Sequence, residues 1–89
     1  MAKSRILYVE DEEVLAMLVR QYLDRNGYEV HWVADGMAAE KVFREVKPDL
    51  CILDIMLPGI SGYEIGKTIR AIDKSVPIIF LTARSETKD

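Results

Sequence analysis

The sequence predicts an α/β fold with a parallel sheet, and three observations lead to this prediction. Four short apolar runs of strand type alternate with three segments of helical period along the 89 residues. The helical segments are long enough to cross over between parallel strands, with right-handed connections. The run at 50–57 is apolar except for Asp54, which is typical of a strand buried on both faces. We therefore expect the order β-α-β-α-β-α-β in a single domain.

The first strand is predicted at residues 6–9, and four acidic residues follow it directly. Glu12 and Glu13 fall at the start of the first helix, where negative charge interacts favourably with the helix dipole. Glu10 and Asp11 come earlier, at the carboxyl end of the strand. The helix is predicted from apolar residues at i, i+4, i+8 spacing that are expected to face the core: Val14, Leu15, Leu18, Val19, Tyr22 and Leu23.

A second strand and a second helix follow Asn26-Gly27, since glycine commonly terminates helices. Residues 28–33 alternate apolar and polar side chains, which indicates a strand at a sheet edge with His31 on its exposed face. Asp35-Gly36 forms the turn into the second helix, and Lys47-Pro48-Asp49 ends it. The residues of this helix predicted to face inward are Ala38, Ala39, Val42, Phe43 and Val46.

The third strand carries one ionisable side chain, that of Asp54. A carboxylate is costly inside a sheet but not at the carboxyl end of a strand, where ligand sites form in α/β proteins. Asp54 is therefore a candidate functional residue. An aspartate that stabilises the following Pro58-Gly59 turn is an equally good interpretation of this stretch by itself. The lone Cys51 is interpreted as a small core residue in a reducing compartment.

A third helix and a fourth strand complete the predicted order. Ser61 can cap the helix. The buried side of this helix is predicted to carry Ile65, Ile69 and Ile72. Pro77 opens the fourth strand at residues 78–81, which ends in the hydroxyl of Thr82 and the small side chain of Ala83.

Composition argues against contact with nucleic acid or membrane. The net charge is −3, so that the chain offers no basic surface for phosphate backbones. Only four apolar residues stand between Arg5 and the acidic cluster, too few for a secretory signal or a membrane span. We expect a cytoplasmic domain.

The candidate acidic residues converge if the strand order is 2-1-3-4. The first and third strands are then neighbours about 4.8 Å apart, and Glu10, Asp11 and Asp54 share one crevice at their carboxyl ends. Three carboxylates so close repel one another unless a hard divalent cation neutralises them, and Mg²⁺ is the natural candidate. A carboxylate beside Mg²⁺ is a competent nucleophile toward phosphorus, forming an aspartyl phosphate. Thr82 could donate a hydrogen bond to the incoming group.

Three separated motifs resemble the receiver domain of two-component response regulators, which has a flavodoxin-like, doubly wound fold. They are Ile6 to Glu12, Leu53 to Gly59 with Gly62, and Ile79 to Ala83. The resemblance runs the length of the chain. It implies a phosphoacceptor switch, which is a signalling domain rather than an enzyme.

The resemblance also assigns roles to individual residues. It implies that Asp54 accepts a phosphoryl group from a histidine kinase or a phosphotransfer protein. Mg²⁺ would be served by Asp54 together with Glu10, Asp11 and the backbone carbonyl of Met56. Thr82 would report phosphorylation through its hydroxyl, and Ala83 would leave room around the phosphoryl group.

The sequence departs from the family pattern in three places. Glu10 and Ser61 stand where aspartate is more common, and neither change is expected to disable the site. The family continues through a fourth helix, a fifth strand that ends in a lysine contacting the phosphoryl group, and a fifth helix. Lys88 lies six residues beyond Thr82 in polar sequence and is not expected to replace that lysine. We therefore expect residues 1–89 to form a C-terminally truncated receiver domain with impaired phosphotransfer.

Parts of the sequence also suggest two other functions. Gly66-Lys67-Thr68 resembles the end of a phosphate-binding P-loop, but Ser61 stands where that motif needs glycine. A module with a vestigial acidic pocket that only binds partners or itself is the other alternative. The fourth strand is uncharged, and without a fifth strand its edge would be unpaired, so that a homodimer or higher assembly through this edge is expected.

Overall fold

The computed structural model describes residues 3–81, which form a parallel sheet between two layers of helices. The strands are β1 (Arg5–Val9), β2 (Glu29–Val33), β3 (Leu50–Asp54) and β4 (Ile78–Leu81), and the helices are α1 (Glu13–Arg25), α2 (Ala39–Val46) and α3 (Gly62–Ile72). All strand pairs are parallel, in the order β2-β1-β3-β4. The predicted fold class and strand order are confirmed.

Each face of the sheet has its own apolar core, because successive strand residues point to opposite faces. On one face, residues of β1 and β3 pack against α2 and α3. This core includes Leu7, Val9, Cys51, Leu53, Ala39, Phe43, Ile65 and Ile69. On the other face, Ile6, Tyr8 and Ile52 pack against Ala16 of α1. Strands β1 and β3, at whose carboxyl ends the acidic residues lie, are therefore buried on both faces.

Helix α1 does not present all of its predicted apolar residues to the sheet. Ala16 is buried and Val19 and Leu23 pack against the core, as the helical period requires. Of the other predicted residues, Leu15 is half-buried and three are largely exposed: Val14 (71%), Leu18 (59%) and Tyr22 (66%). Each of them precedes a residue of the packed stripe by one position, which places it about 100° around the helix. The prediction that they face the core is wrong for this reason.

Turn residues end the elements as predicted. Gly27 follows α1 with φ +89°, a left-handed conformation that glycine adopts without steric cost. Lys47 ends α2 with φ 52°. The side chains of Asp35 and Ser61 accept the N–H groups of Met37 and Tyr63 and so cap a short 3₁₀ helix (Gly36–Ala38) and α3.

Strand β4 lies at the edge of the described sheet and is partly exposed. It pairs with β3. Ile79, Phe80 and Leu81 are each between 36% and 45% exposed. Ile72, predicted on the buried side of α3, is also 36% exposed, because it is the last residue of the helix.

The helices among residues 3–81 are too short or too polar to cross a membrane.

Candidate acidic metal and phosphoryl site

The predicted acidic residues meet at the carboxyl ends of β1 and β3. Val9 pairs with Leu53, so that Glu10, directly after β1, comes level with Asp54, the last residue of β3. One carboxylate oxygen from each of Glu10, Asp11 and Asp54 lies within 4.8 Å of the other two. The sequence predicted this cluster.

Asp54 is nearly fully buried, with 3% of its surface exposed. Its Oδ1 accepts the N–H of Met56 at 3.1 Å. This bond fixes the carboxylate at the start of the loop 55–61, which together with Asp11 lines an open cavity of about 630 Å³. Asp54 therefore stabilises the turn and lies buried directly before the loop that lines this cavity, so that the two interpretations of this residue are compatible.

The backbone of Asp54 is also tightly packed. A Cβ atom placed on Gly62 would lie only 2.2 Å from the carbonyl oxygen of Asp54. The N–H of Gly62 donates to the carbonyl of Ile55 at 3.2 Å, which closes the loop onto the end of β3. Helix α3 can therefore begin beside Asp54 because residue 62 has no side chain.

Glu10 is also buried, with 1% of its surface exposed. Its Oε1 accepts the hydroxyl of Tyr8 at 3.3 Å, and its Oε2 accepts the N–H of Glu12 at 3.2 Å. Burial, and to a smaller extent the charge of Asp54, raises the pKa of Glu10, whereas the bond from Glu12 acts in the opposite direction. Burial and the charge of Glu10 likewise raise the pKa of Tyr8, so that this hydroxyl stays protonated and donates.

The three carboxylates fit a hard divalent cation. Two of them are buried and one is exposed, so that a cation at their centre would be reached from solvent on the side of Asp11. Carboxylate oxygens are the ligands that Mg²⁺ prefers, and a set of few protein ligands leaves positions for water or phosphate oxygens. Three carboxylates in a largely buried site repel one another and lose contact with water, and a bound cation would offset this cost in free energy.

The remaining predicted site residues have different outcomes. The structure shows the N–H of Met56 bonded to Asp54, while its predicted metal contact through the carbonyl stays a prediction. Thr82 and Ala83 lie outside the described residues, so that their predicted contacts with the phosphoryl group also stay predictions.

Two supporting residues were not predicted from the sequence. Tyr8 donates to Glu10, and the indole N–H of Trp32 donates to the main-chain oxygen of Glu10 at 2.7 Å. The sequence did contain an indication for Tyr8, because Tyr8 and Glu10 are two residues apart and residues i and i+2 share one face of a strand. No comparable signal existed for Trp32, since its contact depends on the register of β2 against β1.

The P-loop alternative is wrong. Gly66, Lys67 and Thr68 lie inside α3 and do not form a loop after a strand. Gly66 has a packing role, since a Cβ atom there would lie 2.8 Å from the ring of Phe80. Cys51 is buried, which raises its pKa to about 12 and keeps the thiol from acting as a nucleophile.

Comparison with known proteins agrees with this geometry. Residues 6–89 match the family model of the response regulator receiver domain. The transcriptional regulatory protein RprY of Bacteroides fragilis is 44% identical over 87 residues, which are 98% of this chain and 37% of the relative. The chain thus spans little more than a third of that curated relative.

Solved structures show the same fold. The response regulator TrrA of Thermotoga maritima, in complex with Mg(2+)-BeF, has a TM-score of 0.87 and 44% identity; the match covers 92% of this chain and 71% of that one. A structure of the histidine kinase ThkA in complex with TrrA matches with a TM-score of 0.85 and 42% identity over 97% of this chain and 74% of that one.

Proposed function

The chain belongs to the response regulator receiver domain family, and on this premise we propose that its Asp54 accepts a phosphoryl group from a histidine kinase or a phosphotransfer protein. The observation that carries the proposal is the buried Asp54 carboxylate at the end of β3, within 4.8 Å of two further carboxylates. The complex of TrrA with a histidine kinase supports the choice of partner. Signalling rather than substrate turnover is the role of such a domain.

In the proposed reaction an oxygen of Asp54 attacks phosphorus. Oδ1 is already fixed by the N–H of Met56, and we assign Oδ2 as the nucleophile. The new bond joins Oδ2 to phosphorus while the bond from phosphorus to the histidine nitrogen of the donor breaks. The electron pair of the broken bond stays on that nitrogen, and the histidine leaves as a neutral imidazole whose other ring nitrogen carries the proton. Thr82 and Ala83 are assigned to contact the phosphoryl group, as the family resemblance implies.

Glu10, Asp11 and Asp54, with the carbonyl of Met56, are the residues we assign to Mg²⁺. When bound, the ion neutralises charge on the phosphoryl oxygens and on the carboxylates. The Mg(2+)-BeF complex of TrrA supports this assignment. Glu10 and Asp54 hold their positions through hydrogen bonds to Tyr8, Glu12 and Met56, so that the carboxylates need little rearrangement on binding.

Phosphorylation of Asp54 is tested with a small phosphodonor and intact-protein mass spectrometry. We expect slow formation of a single phosphate adduct that hydroxylamine removes, as an acyl phosphate requires. Asp54→Asn should abolish the adduct, because an amide is a far weaker nucleophile than a carboxylate. Asp24→Asn is the matched control, since Asp24 lies in α1, and should label like the unchanged chain. Equal labelling of the two variants would contradict the proposal.

Metal binding is expected to stabilise the fold. Mg²⁺ or Mn²⁺ should bind in the millimolar range or more weakly and raise the melting temperature with concentration, because the cation binds the folded state alone. Asp54→Ala and Asp11→Ala should each remove most of this rise. If both variants respond to metal like the unchanged chain, the assignment of the pocket is wrong.

A second proposal concerns self-association, favoured by the exposed edge of β4. The backbone of Ile78–Leu81 pairs with β3 on one side, and its apolar side chains are partly exposed. Such an edge can pair with the same strand of a second copy about a twofold axis. We expect the 89-residue chain to form a homodimer or a higher assembly with β4 at or near the interface.

Sedimentation equilibrium tests this association. Phe80→Lys should weaken it, because a charge on β4 opposes strand pairing. Leu18→Lys, which places the same charge on the exposed stripe of α1, should leave it unchanged. A folded monomer at tens of micromolar would refute the association. If only Leu18→Lys abolished the association, the interface would lie on α1 and not on β4.

A further inference from the structure

Tyr8 is a fully buried tyrosine whose hydroxyl reaches the acidic site. Its exposed fraction is 0%, and its ring packs with Ile6, Ile52 and Ala16 between the sheet and α1. A phenylalanine would fill the same apolar space. Burying a hydroxyl costs free energy unless it is hydrogen-bonded, and the partner of this hydroxyl is Oε1 of Glu10 at 3.3 Å.

Glu10 is held by the surrounding protein at four atoms. Tyr8 and the N–H of Glu12 donate to its two carboxylate oxygens. The indole of Trp32 donates to its carbonyl at 2.7 Å, and its own N–H donates to the carbonyl of Val33 at 3.1 Å. The main chain of Glu10 is therefore fixed by β2, and its carboxylate by Tyr8 and Glu12.

These contacts matter because glutamate has one more rotatable bond than aspartate. Its carboxylate can take several positions from the same backbone, and only some bring an oxygen toward Asp11 and Asp54. The hydrogen bond from the N–H of Glu12 fixes Oε2, but the carboxylate of Glu10 could still rotate about that oxygen. The bond from Tyr8 to Oε1 fixes the second oxygen and thereby the plane of the carboxylate.

We propose that Tyr8 is a positioning residue for the divalent cation, holding the carboxylate of Glu10 in the orientation in which it faces Asp11 and Asp54. This inference rests on the proposed function, in which Glu10 serves Mg²⁺. Residues that orient the ligands of a metal change its affinity without touching it. Tyr8→Phe removes the hydroxyl, keeps the ring, and should weaken Mg²⁺ binding by about tenfold.

The first measurement follows the amide chemical shifts of the full, folded 89-residue chain against Mg²⁺ concentration at a fixed temperature, and the melting temperature is recorded without metal. Tyr8→Phe should move the midpoint of this titration to about tenfold higher Mg²⁺. Tyr22→Phe is the matched control, since Tyr22 is 66% exposed on α1, and it should leave the midpoint unchanged. A purely structural role of Tyr8 would lower the melting temperature without metal and leave the midpoint in place, which would overturn the inference.

The second measurement needs no variant at Tyr8 and decides the matter if Tyr8→Phe does not fold. Nuclear magnetic resonance of the chain labelled with ¹³C at the tyrosine Cζ atoms reports the hydrogen bond of each hydroxyl. Addition of Mg²⁺ should shift the signal of Tyr8 and leave those of Tyr22 and Tyr28 in place. An unmoved Tyr8 signal in a chain that Mg²⁺ stabilises would refute the positioning role alone. A chain that shows no response to Mg²⁺ in either measurement would refute the proposed metal site as well.

Discussion

A chain of these 89 residues continued with the C-terminal part of TrrA is expected to take up phosphate from a small donor about 10²- to 10³-fold faster than the 89 residues alone. The match covers 71% of TrrA, and the continued chain would add the C-terminal part of that protein. The family resemblance implies that this part includes a lysine at the end of a fifth strand. A fixed cation aimed at the charge that develops on the phosphoryl group is an electrostatic contribution of this size.

The control chain keeps the C-terminal part of TrrA but lacks the positive charge of this lysine. Replacing the lysine at the end of the fifth strand by methionine should return the rate of labelling close to that of the 89 residues. Asp54→Asn in the continued chain should abolish labelling, which confines the reaction to one carboxylate. Rates are measured by mass spectrometry on chains whose folding is verified by circular dichroism. Equal rates for the short and continued chains would show that these 89 residues contain everything the reaction needs.

Gly62→Ala is expected to lower the free energy of unfolding by about 3 kcal/mol, at the upper end of the range for overpacking. The added methyl would lie 2.2 Å from the carbonyl oxygen of Asp54, and a backbone atom cannot move aside as a flexible side chain can. Domains of this length have a total stability of roughly 5–13 kcal/mol, so that the change removes a large part of it. The measurement is urea unfolding followed by circular dichroism.

Gly27→Ala is the matched glycine control. No heavy atom lies within 4 Å of a Cβ at this position, and the cost comes from the left-handed backbone, φ +89°. That conformation costs a non-glycine residue about 1–2 kcal/mol. A loss at Gly62 no larger than the loss at Gly27 would mean that the start of α3 can shift away from β3. In that case the geometry around Asp54 would be less constrained than the structure shows.

The alternation of apolar runs was sufficient to predict the fold because each strand of this sheet has a simple sequence signature. The runs around Leu7 and Leu53 are apolar on both faces, and both strands are buried by helices on either side. The cluster of Glu10, Asp11 and Asp54 followed from the strand order, since parallel strands bring their carboxyl ends to one edge. The central part of the site was therefore predictable from strand ends and charge.

The helix faces and the supporting contacts were not predictable in the same way. Val14 and Leu18 continue a helical period as well as Leu15 and Val19 do, and only the arrangement of the sheet decides which stripe is covered. The bond from Trp32 to Glu10 depends on strand register, to which a single sequence gives no direct access. Gly62 stood in a recognised motif, but its steric reason became visible only with the carbonyl of Asp54 in place.

The position of each strand in the sheet also sets how readily it opens. Strand β1 is paired on both sides, and Asp54 ends β3, which is likewise paired with β1 and β4. Amide hydrogens of such central strands exchange only in large-scale opening, whereas a partly exposed edge strand such as β4 exchanges through smaller, cheaper fluctuations. Glu10 and Asp54 thus lie at the ends of strands that we expect to exchange slowly, whereas Asp11 lies in the connection between β1 and α1. Strand β4 is expected to open at a lower free-energy cost than β1 and β3, and hydrogen exchange of its amides would measure the difference.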